Sequence, residues 1–318
     1  MTSLRWSSLG DGALTVLALV FTVGAMAADP VPELELTRVN EVVYSAIGAP
    51  AAPTKENRGH NNNLSFVMTS DGVVVINGGD NALLAEGLHR QIRRLTDQPV
   101  RYVINENGQG HAFLGNAYWA RQGATILAHR DAIREIEQHG ERSLASMRER
   151  MGELAAGTEV VLPDVAIEDF YLLELGGERI ELRRFGDAHS PGDLSVWLPA
   201  HGVLIAGDIA FHERLLGIFP DSDVEAWIES FDRLAELQPT VVIPGHGGPT
   251  DVATIRRYTQ AYLQFLSAEI EAILDDDGDL SDAYAIDQSA YAHLHTFDEM
   301  AQKNAGRLYR QMEAKLFE

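Results

Sequence analysis

Four strand-like runs in this chain end in glycine-bearing turns that carry a metal-ligating type of side chain, and that recurrence narrows the possible folds more than any other feature. RYVIN leads into ENGQGH with His111, and the later stretches are DAHSPGD with His189, LIAGDIAFH with Asp208 and VVIPGHGGP with His246. Loops at strand ends are where a rigid scaffold places functional groups, and glycine lets the backbone turn so that the neighbouring side chain faces inward. One histidine beside Gly and Pro carries little information. A series of such turns points to a layered scaffold with one polar site at its strand ends.

The runs between these turns set the fold class. LSFVMTS and VVVIN flank Asp71-Gly72 and read as a hairpin. GGDNALLAEGLHRQIRRL opens with turn residues and spaces Leu83, Leu84, Leu88, Ile92 and Leu95 as a helix does. A strand at RYVIN, a helix after the loop, a strand at ATILAH and a helix over 130–151 complete a first half. A second half repeats the rhythm with strands over 169–175, 178–185, 194–198 and 202–206, a helix over 224–237 and a strand from Val241. Two such halves predict an α/β fold of two sheets packed face to face with helices outside, a four-layer αββα sandwich. The sandwich is assigned to 60–250. It follows an N-terminal edge strand and loop over 28–59, broken by Pro30, Pro32, Pro50 and Pro53, and precedes a helical C-terminal extension over 251–318. In that extension Tyr258, Tyr262, Phe265, Ile270 and Leu274 share one apolar face.

Composition limits the chemistry and the partners. There is no cysteine, so neither disulfides nor thiolate ligands are available, and reactivity rests on His, Asp, Glu and hydroxyls. A formal net charge of −22 argues against nucleic acid and against anionic membrane surfaces as partners. Acidic runs such as Asp275-Asp276-Asp277 read as solvated surface. Residues 1–27 carry Arg5, an apolar stretch over 13–23 and the small-residue pattern Ala25-Met26-Ala27, the layout of a secretory signal cut after Ala27. That apolar stretch is shorter than the roughly 20 residues a membrane-spanning helix needs. A periplasmic or secreted protein is expected, with no stable membrane association once the signal is removed and a small-molecule substrate. The oligomeric state is left open.

Ala188-His189-Ser190-Pro191-Gly192, Ala206-Gly207-Asp208 and Pro244-Gly245-His246-Gly247 resemble, in order and setting, the last three motifs of the metallo-β-lactamase superfamily, whose first motif is HxHxDH. The resemblance covers about 60–250 and implies the αββα sandwich and hydrolytic, usually zinc-dependent chemistry. The first motif departs from the family. Anchoring on Leu114-Gly115-Asn116 puts Asn107 and Gln109 where the family has its first two histidines. His111 then falls at the family's Asp or, shifted by one residue, at its final His with Gly110 at the Asp. The shift is preferred because it gives the second metal position an imidazole. The Asp of the family's VDTG turn is Asn77 here. The Asn-Gly-Gln loop and GDIAFHERL are also similar to segments of exported quinoprotein relay-system metallohydrolases.

The resemblance implies a ligand set of His111, Asp208 and His246 around one ion, with His189 as a fourth ligand or a hydrogen-bonding group and with Asp208 and His189 as the catalytic residues. Neutral amide oxygens do not replace imidazoles for zinc at similar affinity, so the first metal position is expected to be weak or empty. Mixed His and carboxylate sets accept zinc, iron or manganese. Further metal or substrate contacts are sought at His60, in the loop before the first core strand, at Asn107 and Gln109 through their amides, and at His212, four residues after Asp208 and near Arg214. A metal-dependent hydrolase of ester, thioester, lactone or amide bonds is the expected function. The alternative is a non-catalytic periplasmic binding or accessory protein that kept the fold with a structural ion or none.

Overall fold

The structure is a computed structural model that describes residues 1, 2 and 30–316. The expected signal over 1–27 therefore lies, apart from its first two residues, outside the described residues. Among the described residues no helix is long and apolar enough to cross a membrane.

Two sheets form the centre. The first takes strands β1 (Thr37–Arg38), β2 (Val43–Ala46), β3 (Leu64–Thr69), β4 (Gly72–Ile76), β5 (Val100–Asn105), β6 (Thr125–His129) and β7 (Val165–Ile167) in chain order across the sheet. β1 to β4 pair antiparallel, and β4 to β7 pair parallel. The second sheet runs β8 (Phe170–Leu175), β9 (Glu178–Arg183), β10 (Ser195–Leu198), β11 (Val203–Phe211) and β12 (Val241–His246), again with neighbours in sequence order. Only its β11–β12 pair is parallel. Every residue of β4 and of β11 is buried. This is why those segments read as unbroken apolar runs: a strand covered on both faces has no solvent side to alternate with.

Helices cover the outer faces. On the first sheet lie α1 (Ala82–Leu95), the short α2 (Gly110–Phe113) and α3 (Asn116–Arg121), and α4 (Arg130–Met151). α1 is capped by the Asn81 side chain, which accepts from the Leu84 amide, and it buries Leu84, Leu88 and Ile92 against Phe66, Val73, Val75 and Val103. Leu95, the last residue of the expected stripe, ends exposed at the helix terminus. On the second sheet lies α5 (Val224–Ala235), followed by the C-terminal region of α6 (Val252–Ile255), α7 (Ala261–Asp275), α8 (Leu280–Tyr284) and α9 (Phe297–Lys315). Trp227, Phe231, Tyr262, Leu266, Ile270, Leu308 and Tyr309 pack there against Phe211, Leu204 and Val242. Between the sheets, Val67, Val74, Ile76, Ile104 and Leu127 meet Ile180, Leu182, Val196, Leu198, Ile205 and Ile243. The expected αββα layering with a helical C-terminal region is the observed fold.

Candidate metal centre

Both sheets deliver polar side chains to one rim of the sandwich. Glu106 follows β5, and His111 stands in the first turn of α2. His189 lies in the β9–β10 loop, Asp208 within β11, and His246 is the last residue of β12. β11 loses register with β12 on both sides of Gly207, and this irregularity turns Asp208 toward the first sheet. Gly207 has a φ of 69°, and a Cβ there would collide with the Glu106 carboxylate. A Cβ on Gly245 would likewise collide with Asp208. The glycines flanking the ligand-type residues thus make room for two buried carboxylates as well as turning the chain.

Asp208 is the hub. His111 Nε2 lies 3.3 Å from Asp208 Oδ2 and 3.4 Å from Glu106 Oε1, without hydrogen-bonding geometry to either. His246 Nε2 lies 3.4 Å from Asp208 Oδ1, and His189 Nε2 lies 3.8 Å from Oδ2. The Nδ1 of His246 is 2.6 Å from the Asn61 carbonyl. A carbonyl only accepts, so Nδ1 carries the hydrogen and Nε2 turns a lone pair toward the carboxylate. Arg214 Nη1 comes within 3.4 Å of the same Nδ1, but with hydrogens on both nitrogens that contact is not a bond. Two lone-pair-bearing atoms facing each other across 3.4 Å repel unless a cation lies between them.

The donor set fits such a cation. Glu106, His111 and Asp208 each offer a ligand atom, and these lie within 4.8 Å of one another, whereas His189 and His246 stand outside that group and approach Asp208 alone. Donors placed about 2.0–2.2 Å from one ion at near-tetrahedral angles are separated by roughly the 3.3–3.4 Å seen here. Buried Glu106 Oε2 has no hydrogen-bond partner among the described residues. Burial pulls the His189 and His246 imidazoles down to about 4 and about 3, more than Asp208 raises them, so both are neutral at pH 7. Burial also depresses His111, but the Asp208 and Glu106 carboxylates outweigh it and lift this imidazole to about 10. Burial pushes Asp208 up, but at the acid pH where it titrates the protonated His246, His111 and His189 outweigh that and hold it well below the usual carboxylate range. Glu106 is pushed up by burial and by the Asp208 charge.

A lattice of amides fixes these groups. The Glu106 amide N–H donates to Asn77 Oδ1, which orients the other end of that carboxamide. Asn77 Nδ2 then donates to Glu106 Oε1 at 2.8 Å and to Asn62 Oδ1 at 2.9 Å. Asn62 Nδ2 in turn donates to Glu106 Oε1 and to Asp208 Oδ1. Asn63 Nδ2 donates to the carbonyls of Pro244 and Gly247, clamping the turn that carries His246. On the other side, Ser190 donates its amide and hydroxyl hydrogens to Asp193, closing the loop beside His189, and Ser222 donates to the His189 carbonyl. Burial, with the charges of Asp208 and Glu106, pushes Asp193 up to about 8 against the bonds from Ser190.

The structure therefore brings His111, His189, Asp208 and His246 together. Asn107 joins them, but as a donor: its Oδ1 accepts from the Gln109 amide, so Nδ2 faces Asp208 Oδ2 and Asp193. Gln109 lines the cavity beside the site. His60 is placed elsewhere, with Nε2 3.3 Å from the Ala46 carbonyl, and His212 Nε2 lies 2.6 Å from the Gly248 carbonyl. The expectation that the first position offers only neutral amides is corrected by Glu106. The register that makes His111 the final motif histidine places Glu106, five residues earlier, at the first one. That spacing was readable, whereas anchoring on Leu114-Gly115-Asn116 hid it. The roles of Asn61, Asn62 and Asn63 had no comparable signal, because a polar triplet before a strand reads as loop.

A cavity of about 410 Å³ opens over the cluster. Its lining includes His111, His189, His246, Phe211 and Phe219 together with Arg142, Arg150, Arg214, Asp80 and Glu299. Phe211 stacks on His246 at 5.0 Å between ring centroids, and Phe219 meets His189 edge-on at 5.1 Å.

Residues 58–246 match the sequence profile described as the metallo-beta-lactamase superfamily. A relative from Bacteroides fragilis described as metallo-beta-lactamase type 2 is 22% identical over 268 residues, covering 80% of this chain and 96% of the relative. Among solved structures, a metallo-beta-lactamase from Pontibacter korlensis superposes with a TM-score of 0.59 at 19% identity, over 73% of this chain and 99% of that one. The sec-alkylsulfatase Pisa1 from Pseudomonas sp. gives a TM-score of 0.70 at 18% identity. It is matched over 87% of this chain but only 50% of its own length.

Proposed function

Because the chain belongs to the metallo-beta-lactamase superfamily, we propose that it is a metal-dependent hydrolase of a small molecule carrying an ester, thioester, lactone or amide bond. The observation that carries this reading is the convergence of three imidazoles on Asp208 beneath an open cavity. His111, Asp208 and His246 would hold the ion, with His189 as a fourth ligand or an orienting group, and zinc, iron and manganese all suit that set. A divalent ion there supplies Lewis acidity toward an electron-rich substrate oxygen and lowers the pKa of a neighbouring water to about 7.

The chain's own residues supply the remainder. Asp208 balances the positive charge of the site, and the Asn61 carbonyl fixes the His246 tautomer that presents Nε2. The Ser190–Asp193 ring and the Ser222 hydroxyl hold the loop that aims His189. Phe211, buried and stacked on His246, gives the cavity an apolar side against which charge developing on a substrate is less screened than in bulk water. Arg214, half-buried at the cavity and within the field of Asp208 and Glu299, adds positive potential there. The acidic surface and the signal-like first 27 residues support an exported protein that does not act on nucleic acid.

Hydrolysis of ester, thioester, lactone and amide probes tests the reading. Wild-type protein is expected to turn over at least one probe. Asp208→Ala should abolish that activity, whereas Asn107→Ala, which removes one donor to Asp208, should only reduce it. Wild-type protein that binds metal yet hydrolyses none of the four bond types would favour the accessory-protein reading.

A further inference from the structure

In the motif register set by His111, the position of the missing first histidine is occupied by Glu106, and the fold treats that carboxylate as part of the site. It is 2% exposed in its side chain. Its Oε1 accepts from Asn77 and Asn62 and faces His111 Nε2 at 3.4 Å, while Oε2 is buried with no partner among the described residues. Only a glycine at 207 leaves room for it. Burying a carboxylate beside Asp208 is costly unless positive charge compensates both. His111 Nε2, the imidazole nitrogen that faces both carboxylates, lies 3.3–3.4 Å from them without hydrogen-bond geometry.

The amides cannot take the place of the absent histidines as ligands. Two backbone N–H groups, those of Glu106 and Gln109, bind the oxygens of Asn77 and Asn107. Both carboxamides therefore turn their N–H ends to the site, and the Asn62 amide, whose oxygen accepts from Asn77, does the same. These groups serve as donors that hold Glu106 and Asp208 in place.

We propose that Glu106 is a direct metal ligand in place of the missing imidazole, and that two carboxylates in the set narrow the site's preference for zinc over a harder ion such as manganese(II). The inference rests on the pocket being a metal centre and deepens that reading. A hard anionic oxygen favours manganese relative to the softer imidazole, so exchanging one for the other shifts the balance between the two ions.

The test is chelator-competition binding of Mn²⁺ and Zn²⁺ to the metal-stripped full-length protein and to Glu106→Gln and Glu106→His, with far-UV circular dichroism to confirm folding. Glu106→Gln is expected to weaken Mn²⁺ by about tenfold or more, and Glu106→His to raise the ratio of manganese to zinc dissociation constants by a similar factor. Unchanged Mn²⁺ affinity in folded Glu106→Gln, or an unchanged ratio in Glu106→His, overturns the proposal. If Glu106→Gln does not fold, Glu106→Asp replaces it: the shortened carboxylate should weaken both ions, and unchanged affinities overturn the proposal. A site that binds both ions as expected but hydrolyses no probe would remove the hydrolase reading and leave this one standing. Wild-type protein that binds neither ion would remove both.

Discussion

At the scale of single residues, the site depends on protonation states that metal binding must change. The His111 imidazole, lifted to about 10 by Asp208 and Glu106 against its burial, is charged at pH 8, whereas His189 and His246, at about 4 and about 3, are neutral. An ion that takes the His111 Nε2 lone pair must displace that proton, so binding at pH 8 should release at least one proton per ion. Affinity should accordingly rise with pH up to about 10 and fall as pH drops. Calorimetric titrations in two buffers of different ionisation enthalpy measure the release directly, and a buffer-independent heat would contradict the assignment of His111. The identities of His111, His189, Asp208 and His246 were legible in the sequence because each sits in a short glycine-bearing turn. Glu106 was not, since a carboxylate flanked by asparagines carries no ligand signature by type, and only its five-residue spacing to His111 betrays it. His60 and His212 had the right chemistry but spend their Nε2 atoms on backbone carbonyls.

At the scale of elements, periodicity placed most strands and helices, and the differences lie where local and tertiary signals conflict. The β3–β4 hairpin, α1 and α4 follow from alternation and helical spacing. β11 continues through Phe211, past the Gly207-Asp208 pair that reads as a strand end, because parallel pairing with β12 resumes after the irregularity. β7, three residues long, is set by pairing with β6 and leaves no pattern of its own. The bend at Gly207 is the element on which the site turns. Gly207→Ala would place a side chain at a φ of 69° and against the Glu106 carboxylate, and we expect it to cost about 1–3 kcal/mol of stability. Denaturant unfolding checks this, and a folded Gly207→Ala protein of wild-type stability would show that Glu106 is not packed as described.

At the scale of the whole molecule, each half of the sandwich contributes part of one centre: Glu106 and His111 come from the first half, His189, Asp208 and His246 from the second. Asn61, Asn62 and Asn63, ahead of β3, reach across to the carboxylates and to the β12 turn, so the two halves meet through polar bonds at the rim and through Val, Ile and Leu contacts beneath it. The layering was legible because each half repeats the strand and helix rhythm. The meeting point was not, because which strand ends face each other is decided by sheet packing and not by any local pattern. Everything functional follows from that meeting point holding an ion. Elemental analysis of freshly purified protein, never exposed to chelator, tests it most directly. Close to one equivalent of a divalent transition metal per chain is expected, lost in Asp208→Ala, whereas folded wild-type protein that carries no metal and takes up none on addition would contradict a metal centre at this rim.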